Sequence, residues 1–452
     1  MDDEKVICHQ CIEEEYVKNH IKEKGNAETK CSYCNKFRKN VALRDIAEMM
    51  HSVFENHYER YMYNYDYGIS TGSTSQEIIA EELGVDEEVA DDINLILCDE
   101  NNEYDNEIYN DDYEYRKREH TSGGLDYSWQ KVKDSLKKEA RFFNTSVMDF
   151  LDSLFSDIDK YITEEKTSPI TLLPSTSLLY RARTFENYGD VESALQHPER
   201  NFGPPPSELA RSGRMNASGI SVFYGATSAH IAIAEVRPPV GSYVVVAPFS
   251  LLRPLRIFNV SALNSLKTTT GSIFDSKTHI AQERTAFLKT FSRKLTLPVF
   301  GKNQDNEYLT TQVIAEYLSV STQYNLDGIS FKSTQVEEGK TTGDDDYNVV
   351  LFNKSSSVEY AKDSRRKYRV ELYENVEDDI YMFHPSIRLI EDGKRNNDDH
   401  FMSFLTNDGP TLELMSDSMR FYKVKGVYYQ TDETRIIQGA SIASKEKDQH
   451  DF

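Results

Sequence analysis

The spacing of apolar residues changes character about a third of the way along the chain. Up to about residue 165, apolar side chains recur every three or four positions, which predicts helices. One such segment begins at Val41 and continues to Tyr61. A second, 76–97, is predicted as two short helices that break at Gly84. The third, 129–162, is predicted as one long helix whose broad apolar stripe packs into a core.

Two prolines mark the point where the pattern changes. Pro169 and Pro174 lie five positions apart and cannot both continue a helix, so we place a domain boundary there. Beyond it, short runs rich in Val, Ile, Phe and Tyr predict strands, and helical spacing returns between them. The predicted strands are 220–225, 242–248, 255–260, 327–332 and 348–353, and the predicted helices are 228–236, 279–292 and 311–321. This mixture predicts an α+β fold.

These features divide the chain into four predicted regions. Residues 1–37 form a cysteine-bearing head, and 38–166 form a helical domain. Residues 175–355 form the mixed α/β domain. Residues 356–452 form a C-terminal extension to which the sequence assigns no role, although strand-like alternation occurs in 367–374 and in parts of 411–438.

Charge and composition restrict the partners. The chain has 75 acidic and 52 basic residues and a formal net charge of −23. A surface this acidic repels nucleic acid, and we therefore expect no nucleic acid as a partner. Any bound phosphate requires a local group of arginines. No apolar run reaches the roughly 18 residues of a membrane helix. The N-terminus lacks the features of a signal peptide. We therefore expect a cytoplasmic protein without membrane contact, and the sequence leaves oligomerisation open.

Four of the five cysteines form two CxxC pairs, Cys8 with Cys11 and Cys31 with Cys34. Each pair can present two thiolates to one ion, and four thiolates complete a tetrahedral shell. The separation between the pairs is typical of zinc sites. The sequence therefore predicts structural zinc. A closed four-cysteine shell leaves no coordination position for catalysis. His9 and His20 are the alternative ligands.

The second half of the chain carries a distinctive series of motifs. Tyr180-Arg181-Ala182-Arg183 comes first and is followed by Gly213-Arg214-Met215-Asn216. Tyr224 ends a predicted strand, and Glu235 ends the next predicted helix. The segments Tyr308-Leu309-Thr310-Thr311-Gln312 and Asp327-Gly328-Ile329-Ser330-Phe331-Lys332-Ser333 complete the series.

This order of arginine, tyrosine, glutamate and serine resembles the RES-domain family, known as NAD-consuming toxins of toxin–antitoxin pairs with an ADP-ribosyltransferase-like fold. The resemblance covers about 175 residues and implies that Arg181 binds the NAD pyrophosphate. It implies that Tyr224 contacts the nicotinamide–ribose end and that Glu235 is the catalytic carboxylate. Ser333 would hydrogen-bond the substrate or orient another group, with Arg214 and Asn216 as supporting loop residues.

The chemistry of NAD cleavage suits these residue types. Nicotinamide leaves from a ribose with cation-like, oxocarbenium character, which a carboxylate stabilises. An arginine fork grips two phosphate oxygens. Alternatives stay open at each position. Arg183 lies two residues beyond Arg181 on the same face and could be the ligand instead, Tyr224 could be a core aromatic, and Glu235 could be an ordinary helix-end acid. Ser330 is an alternative to Ser333 for the serine role. Asn348 either donates a hydrogen bond into the site or forms one within a turn.

The N-terminal region resembles the zinc-bearing helical extensions of some RES proteins, which are related to the HEPN group. HEPN ribonucleases use a spaced Arg and His, and Arg44 and His51 lie on one face of a predicted helix. The leading hypothesis is an NAD glycohydrolase or phosphorylase, acting as a bacterial toxin or anti-phage effector restrained by an antitoxin or regulatory protein. The alternatives are a protein ADP-ribosyltransferase, a HEPN-type ribonuclease and an inactive zinc-bearing interaction module.

Overall fold

We analysed a computed structural model of the chain. It describes residues 5–62, 72–101, 108–109, 113–118, 123–139, 143–296, 304–333, 347–361, 363, 366–377, 380–390, 409–428, 431, 433–434 and 436. The fold is mixed α+β, as predicted, with a helical N-terminal region followed by a large sheet. No helix among these residues is long and apolar enough to cross a membrane.

The N-terminal region combines a small cysteine-bearing head with three helices and a hairpin. Its elements are β1 (Val6–Cys8), α1 (Glu15–Lys24), β2 (Asn40–Ala42), α2 (Leu43–His57), β3 (Tyr58–Met62), α3 (Ser75–Leu83), α4 (Glu87–Asn101) and β4 (Tyr113–Lys117). The predicted break at Gly84 is confirmed. Gly84 ends α3 with φ +59°, a left-handed conformation that favours glycine, and its N–H donates to the Ala80 carbonyl.

The predicted single helix over 129–162 is wrong. The structure has α5 (Gly123–Lys138) and α6 (Thr145–Phe155) instead, followed by a 3-10 turn at Ile158–Lys160. Phe143 has φ +61° and is fully exposed, and the Asn144 side chain accepts a hydrogen bond from the Val147 N–H to begin α6. Both helices turn their apolar faces to one core, which explains the unbroken stripe in the sequence.

The sheet region contains the remaining elements, and each strand and helix predicted over 220–353 corresponds to one of them. They are β5 (Ile170–Leu173), β6 (Leu178–Phe185), α7 (Tyr188–Leu195), α8 (Pro198–Phe202), β7 (Phe223–Ala226), α9 (Ala229–Val236), β8 (Tyr243–Leu251), β9 (Leu255–Asn259), α10 (Ser276–Thr296), α11 (Gln304–Val320), β10 (Gly328–Lys332), β11 (Tyr347–Leu351), β12 (Tyr368–Glu377), β13 (Ile380–Leu389), β14 (Leu412–Leu414) and β15 (Arg420–Lys423).

Nine of the described strands form one sheet in the order β14-β8-β6-β7-β11-β10-β9-β5, with β15 also paired to β8. Neighbours are antiparallel except β9 and β10, which are parallel. The chain therefore returns to this sheet after residue 356, because β14 and β15 both pair with β8. Strands β12 and β13 form a separate antiparallel hairpin.

The main core crosses the predicted boundary near residue 170. Phe155 of α6 is fully buried, and its ring lies 5.8 Å from that of Phe258 on β9 and 5.8 Å from that of Tyr317 on α11. Trp129 of α5 packs edge-on against Phe291 of α10 at 5.2 Å. Helices α5 and α6 thus fill the core beneath one face of the sheet, although they precede the two prolines. The division at 166–175 stays a prediction.

Candidate functional site

A cavity opens where the two central strands β6 and β7 meet. Among the described residues their register contains one pair, Tyr180 with Ala226. The cavity has a volume of about 150 Å³. Its walls come from the sheet strands β6, β7, β10 and β11 and from helix α9, and the lining residues are Tyr180, Arg181, Ala182, Tyr224, Gly225, Ala226, Ala232, Glu235, Val236, Phe331 and Asn348. Three of the four predicted catalytic side chains therefore meet in one place.

Arg181 brings a buried positive charge to this cavity. The Nη1 atom of its guanidinium is buried, and no described residue accepts a hydrogen bond from it. The guanidinium lies over the Phe223 ring, 5.3 Å from its centroid. Burial, together with the neighbouring charge of Arg183, lowers the pKa of Arg181 to about 10. The side chain is therefore a cation at neutral pH with spare donor capacity.

Tyr224 uses its hydroxyl group to hold the loop that carries Arg214. The hydroxyl donates to Asn216 Oδ1 at 2.8 Å and accepts from the Met215 N–H at 3.1 Å. Burial raises the pKa of Tyr224 to about 12, so the phenol stays protonated and able to donate at neutral pH. A Cβ on Gly213 would lie 2.7 Å from this hydroxyl and 2.6 Å from Asn216 Oδ1, so the loop requires glycine there.

Asn216 organises the same loop from within. It is buried, and its Nδ2 donates to three backbone carbonyls, those of Arg211, Ala217 and Ile220. The loop closes with a hydrogen bond from the Gly213 N–H to the Asn216 carbonyl at 3.0 Å. The structure thus places Asn216 as a support of the loop and places Arg214 half-buried near Tyr224.

Helix α11 fixes this loop from the outside, a role that sequence analysis did not assign. Thr311 Oγ1 donates to the Arg214 carbonyl at 2.6 Å. Gln312 Nε2 donates to the Gly213 carbonyl at 2.8 Å and to Ser212 Oγ at 2.9 Å. The Thr-Gln segment belongs to the series of motifs in the sequence, but only the fold shows that its side chains anchor the loop.

Glu235 reaches the cavity from the last turn of α9. The helix begins at Ser228, whose hydroxyl accepts from the Ile231 N–H at 3.3 Å, and it ends one residue after Glu235. Glu235 is exposed, and its Oε2 accepts a hydrogen bond from Nδ2 of the buried Asn348 at 3.2 Å. The cavity therefore holds a cation on β6 and a carboxylate on α9.

The other candidate residues lie outside the cavity lining. Arg183 is exposed, and its Nη1 donates to the Asn201 carbonyl at 2.6 Å. Ser330 is buried in β10, and because side chains alternate along a strand it faces away from Phe331. Ser333 follows β10 directly, at the edge of the described segment. Its role stays a prediction.

Comparison with protein-family models gives two matches. The RES domain matches residues 178–372, and HEPN/RES N-terminal domain 1 matches residues 24–150. The chain carries a RES domain behind a HEPN/RES N-terminal domain. No curated protein and no solved structure gave a significant match. The predicted family is thereby confirmed, and a RES domain is consistent with an enzyme that acts on NAD.

The cysteine head contains a four-thiol cluster that can hold a metal ion. Cys8 Sγ lies 3.7 Å from that of Cys11 and 3.6 Å from that of Cys34, and the sulfurs of Cys11 and Cys31 are 3.8 Å apart. All four lie within 4.8 Å of one another. A regular tetrahedron with zinc–sulfur bonds of about 2.3 Å has edges of about 3.8 Å, so this donor set fits zinc.

The pKa values of the Cys8, Cys11 and Cys34 thiols are shifted in different directions around the cluster. Burial raises the pKa of Cys8 and of Cys11. At Cys34, burial acts in the same direction, but hydrogen bonds from the Lys36 backbone and from the other thiols outweigh it and lower the pKa to about 7. Of the alternative ligands, His9 Nδ1 lies 3.3 Å from the Lys39 carbonyl.

The candidate ribonuclease pair lies on α2 of the HEPN/RES N-terminal domain. Arg44 Nε forms an ion pair with Glu100 at 2.5 Å. His51 Nδ1 lies 2.7 Å from the Tyr109 hydroxyl, and its Nε2 lies 3.6 Å from Glu55. Both side chains therefore contact neighbours within their own domain.

Proposed function

We propose that the RES domain cleaves the bond between nicotinamide and ribose in NAD. The observation that carries this proposal is the convergence of Arg181 and Glu235 on one cavity. Cleavage of this bond needs a cation for the pyrophosphate and a carboxylate for the developing charge on the ribose, and the cavity supplies one of each.

Arg181 is suited to the pyrophosphate because its Nη1 has no hydrogen-bond acceptor among the described residues. A buried cation without a partner is costly, and a bound phosphate oxygen would provide the missing acceptor. A guanidinium can also bind two phosphate oxygens at once, which an ammonium cannot do in a fixed geometry.

Glu235 is suited to the reacting ribose. Its carboxylate would stabilise the oxocarbenium character that develops as nicotinamide leaves as a neutral molecule. The rings of Tyr180 and Phe331 line the same cavity and provide apolar surface for the nicotinamide ring. In this proposal Tyr224 serves mainly by holding the Gly213–Asn216 turn, since its hydroxyl already makes two hydrogen bonds there.

The direct test follows free nicotinamide by chromatography after purified protein is incubated with NAD, with and without phosphate. We expect release by the wild type and a loss of about 10²–10⁴-fold in Glu235→Gln. Glu192→Gln, on the exposed face of α7, is the matched control and should behave like the wild type. A Glu235→Gln enzyme that kept normal turnover would refute the assignment.

The acceptor of the ADP-ribosyl group distinguishes the forms of this activity. Release independent of phosphate indicates a glycohydrolase, and dependence on phosphate indicates a phosphorylase. Label transferred from NAD to protein would favour the alternative, an ADP-ribosyltransferase that uses the same cavity. A ribonuclease would instead lose activity in Arg44→Ala and keep it in Glu235→Gln.

An enzyme that drains NAD would stop growth, so we infer a role as a bacterial toxin or anti-phage effector in the cytoplasm. Such an enzyme requires restraint, for which an antitoxin or a regulatory protein is the proposed partner. Expression of the wild type and of Glu235→Gln in a bacterial host tests this role. Growth arrest with falling NAD should follow from the wild type alone. We further propose structural zinc at the four cysteines.

A further inference from the structure

Asn348 is a buried polar residue whose side chain faces the candidate catalytic carboxylate. It is 5 % exposed, and its Nδ2 lies 3.2 Å from Oε2 of Glu235. Buried amide groups are normally hydrogen-bonded, and this one donates to a carboxylate 113 positions away in the sequence. The contact joins β11 to α9 across the cavity.

Glu235 needs an external constraint to hold one orientation. It is exposed and lies in the last turn of α9, next to Val236 and ahead of the left-handed Arg237, whose φ is +45°. A glutamate side chain has several rotatable bonds and loses considerable rotamer freedom when it is fixed. Among the described residues, Asn348 provides the hydrogen bond to this carboxylate.

Asn348 is itself held rigidly by the sheet. Its strand β11 lies between β10 and β7, and Asn348 is the register partner of Phe331 on one side and of Ala226 on the other. Paired residues in a sheet present their side chains on the same face. The small side chain of Ala226 occupies the neighbouring position on β7, and all three residues line the cavity.

We infer that Asn348 is a positioning residue that fixes the Glu235 carboxylate in its productive orientation for the reaction proposed above. This inference rests on the proposed function. A neutral amide donor orients a carboxylate without the ion pairing that a lysine or arginine would impose. Glu235 therefore keeps its negative charge available for the ribose.

A double-mutant cycle in nicotinamide release tests this role. We expect Asn348→Ala to lower kcat about 10–100-fold, with KM for NAD changed less than about threefold, because a misplaced group impairs the transition state more than binding. In the Glu235→Gln background, the same Asn348→Ala change should have an effect of less than about threefold, because the carboxylate that it orients is already absent.

Asn259→Ala provides the structural control. Asn259 lies on β9 of the same sheet, and its Oδ1 accepts hydrogen bonds from the N–H groups of Ser261 and Ala262. This change should lower the melting temperature and leave kcat near the wild-type value. If Asn348→Ala kept its full kcat, or lowered it equally with and without the Glu235 carboxylate, the positioning role would be refuted.

Asn348→Asp adds an independent measurement. It places a second carboxyl group beside Glu235, and two adjacent carboxyl groups resist ionising together. The acidic limb of the profile of kcat/KM against pH should therefore move to higher pH by about one unit or more. An unchanged profile would contradict the contact. A wild type that released no nicotinamide would overturn the proposed function itself, whereas an active wild type with an unaffected Asn348→Ala overturns only the positioning role.

Discussion

Removal of the Tyr224 hydroxyl separates a structural role for this tyrosine from a direct catalytic one. In Tyr224→Phe the ring stays, while the Met215 N–H loses its acceptor and Asn216 Oδ1 loses its donor. Both residues are buried, at 3 % and 6 % exposure, so water cannot readily replace the hydroxyl. A buried polar group left without a partner destabilises by about 1–3 kcal/mol, so two such groups predict a loss of about 2–6 kcal/mol.

The assay compares free energies of unfolding from urea denaturation with rates of nicotinamide release. Tyr180→Phe is the matched control, because Tyr180 lines the same cavity and its hydroxyl makes no hydrogen bond to a described residue. Its stability should stay within about 0.5 kcal/mol of the wild type. We expect Tyr224→Phe to lose stability and activity together. A Tyr224→Phe protein as stable as the wild type but inactive would show that the hydroxyl acts on the substrate.

Three further predictions concern charge, metal and domain structure. Arg181→Met should bind NAD poorly yet unfold at a higher urea concentration than the wild type. The lowered pKa of Arg181, about 10, corresponds to a penalty of up to about 3 kcal/mol for the buried cation in the ligand-free fold. Unchanged stability would contradict this. Cys31→Ser should reduce bound zinc from about one ion per chain to a trace by elemental analysis and lower thermal stability, whereas Cys98→Ser, outside the cluster, should keep the metal. Phe155→Ala should destabilise the RES domain by about 3–5 kcal/mol in the same urea titration; a RES domain that unfolds normally would show that α6 is dispensable.

The order of motifs named residues that line the candidate cavity, but not the contacts that those residues make. The cysteine spacing predicted the four-thiol cluster, because each CxxC pair can offer two thiolates to one ion and four thiolates complete a tetrahedral shell. Arg181 and Glu235 were predicted from the order of motifs and do line one cavity. The contacts of the Tyr224 hydroxyl depend on how the 213–216 turn closes, and no local pattern encodes that closure.

Long-range packing accounts for the errors in the fold. The apolar stripe of 129–162 continues across a break because α5 and α6 face the same core, so periodicity alone could not reveal two helices. A local signal was present and was missed: Asn144 precedes Thr145 and Ser146, and such a residue commonly caps a helix. The pairing of β14 with β8 joins Leu412 to Leu251, and a separation of that length leaves no trace in local sequence.

The cavity combines a buried charge in its lining with stabilising contacts that lie outside the lining. Arg181 places a guanidinium where burial opposes its charge and where its Nη1 has no hydrogen-bond acceptor among the described residues, and this raises the free energy of the ligand-free fold. Contacts outside the cavity lining, such as those of Thr311 and Gln312 with the loop backbone, contribute opposing stability. Loss of one loop contact should therefore lower the free energy of unfolding of the ligand-free protein, and under the proposed function bound NAD would offset that loss, because its phosphate would supply Arg181 with an acceptor.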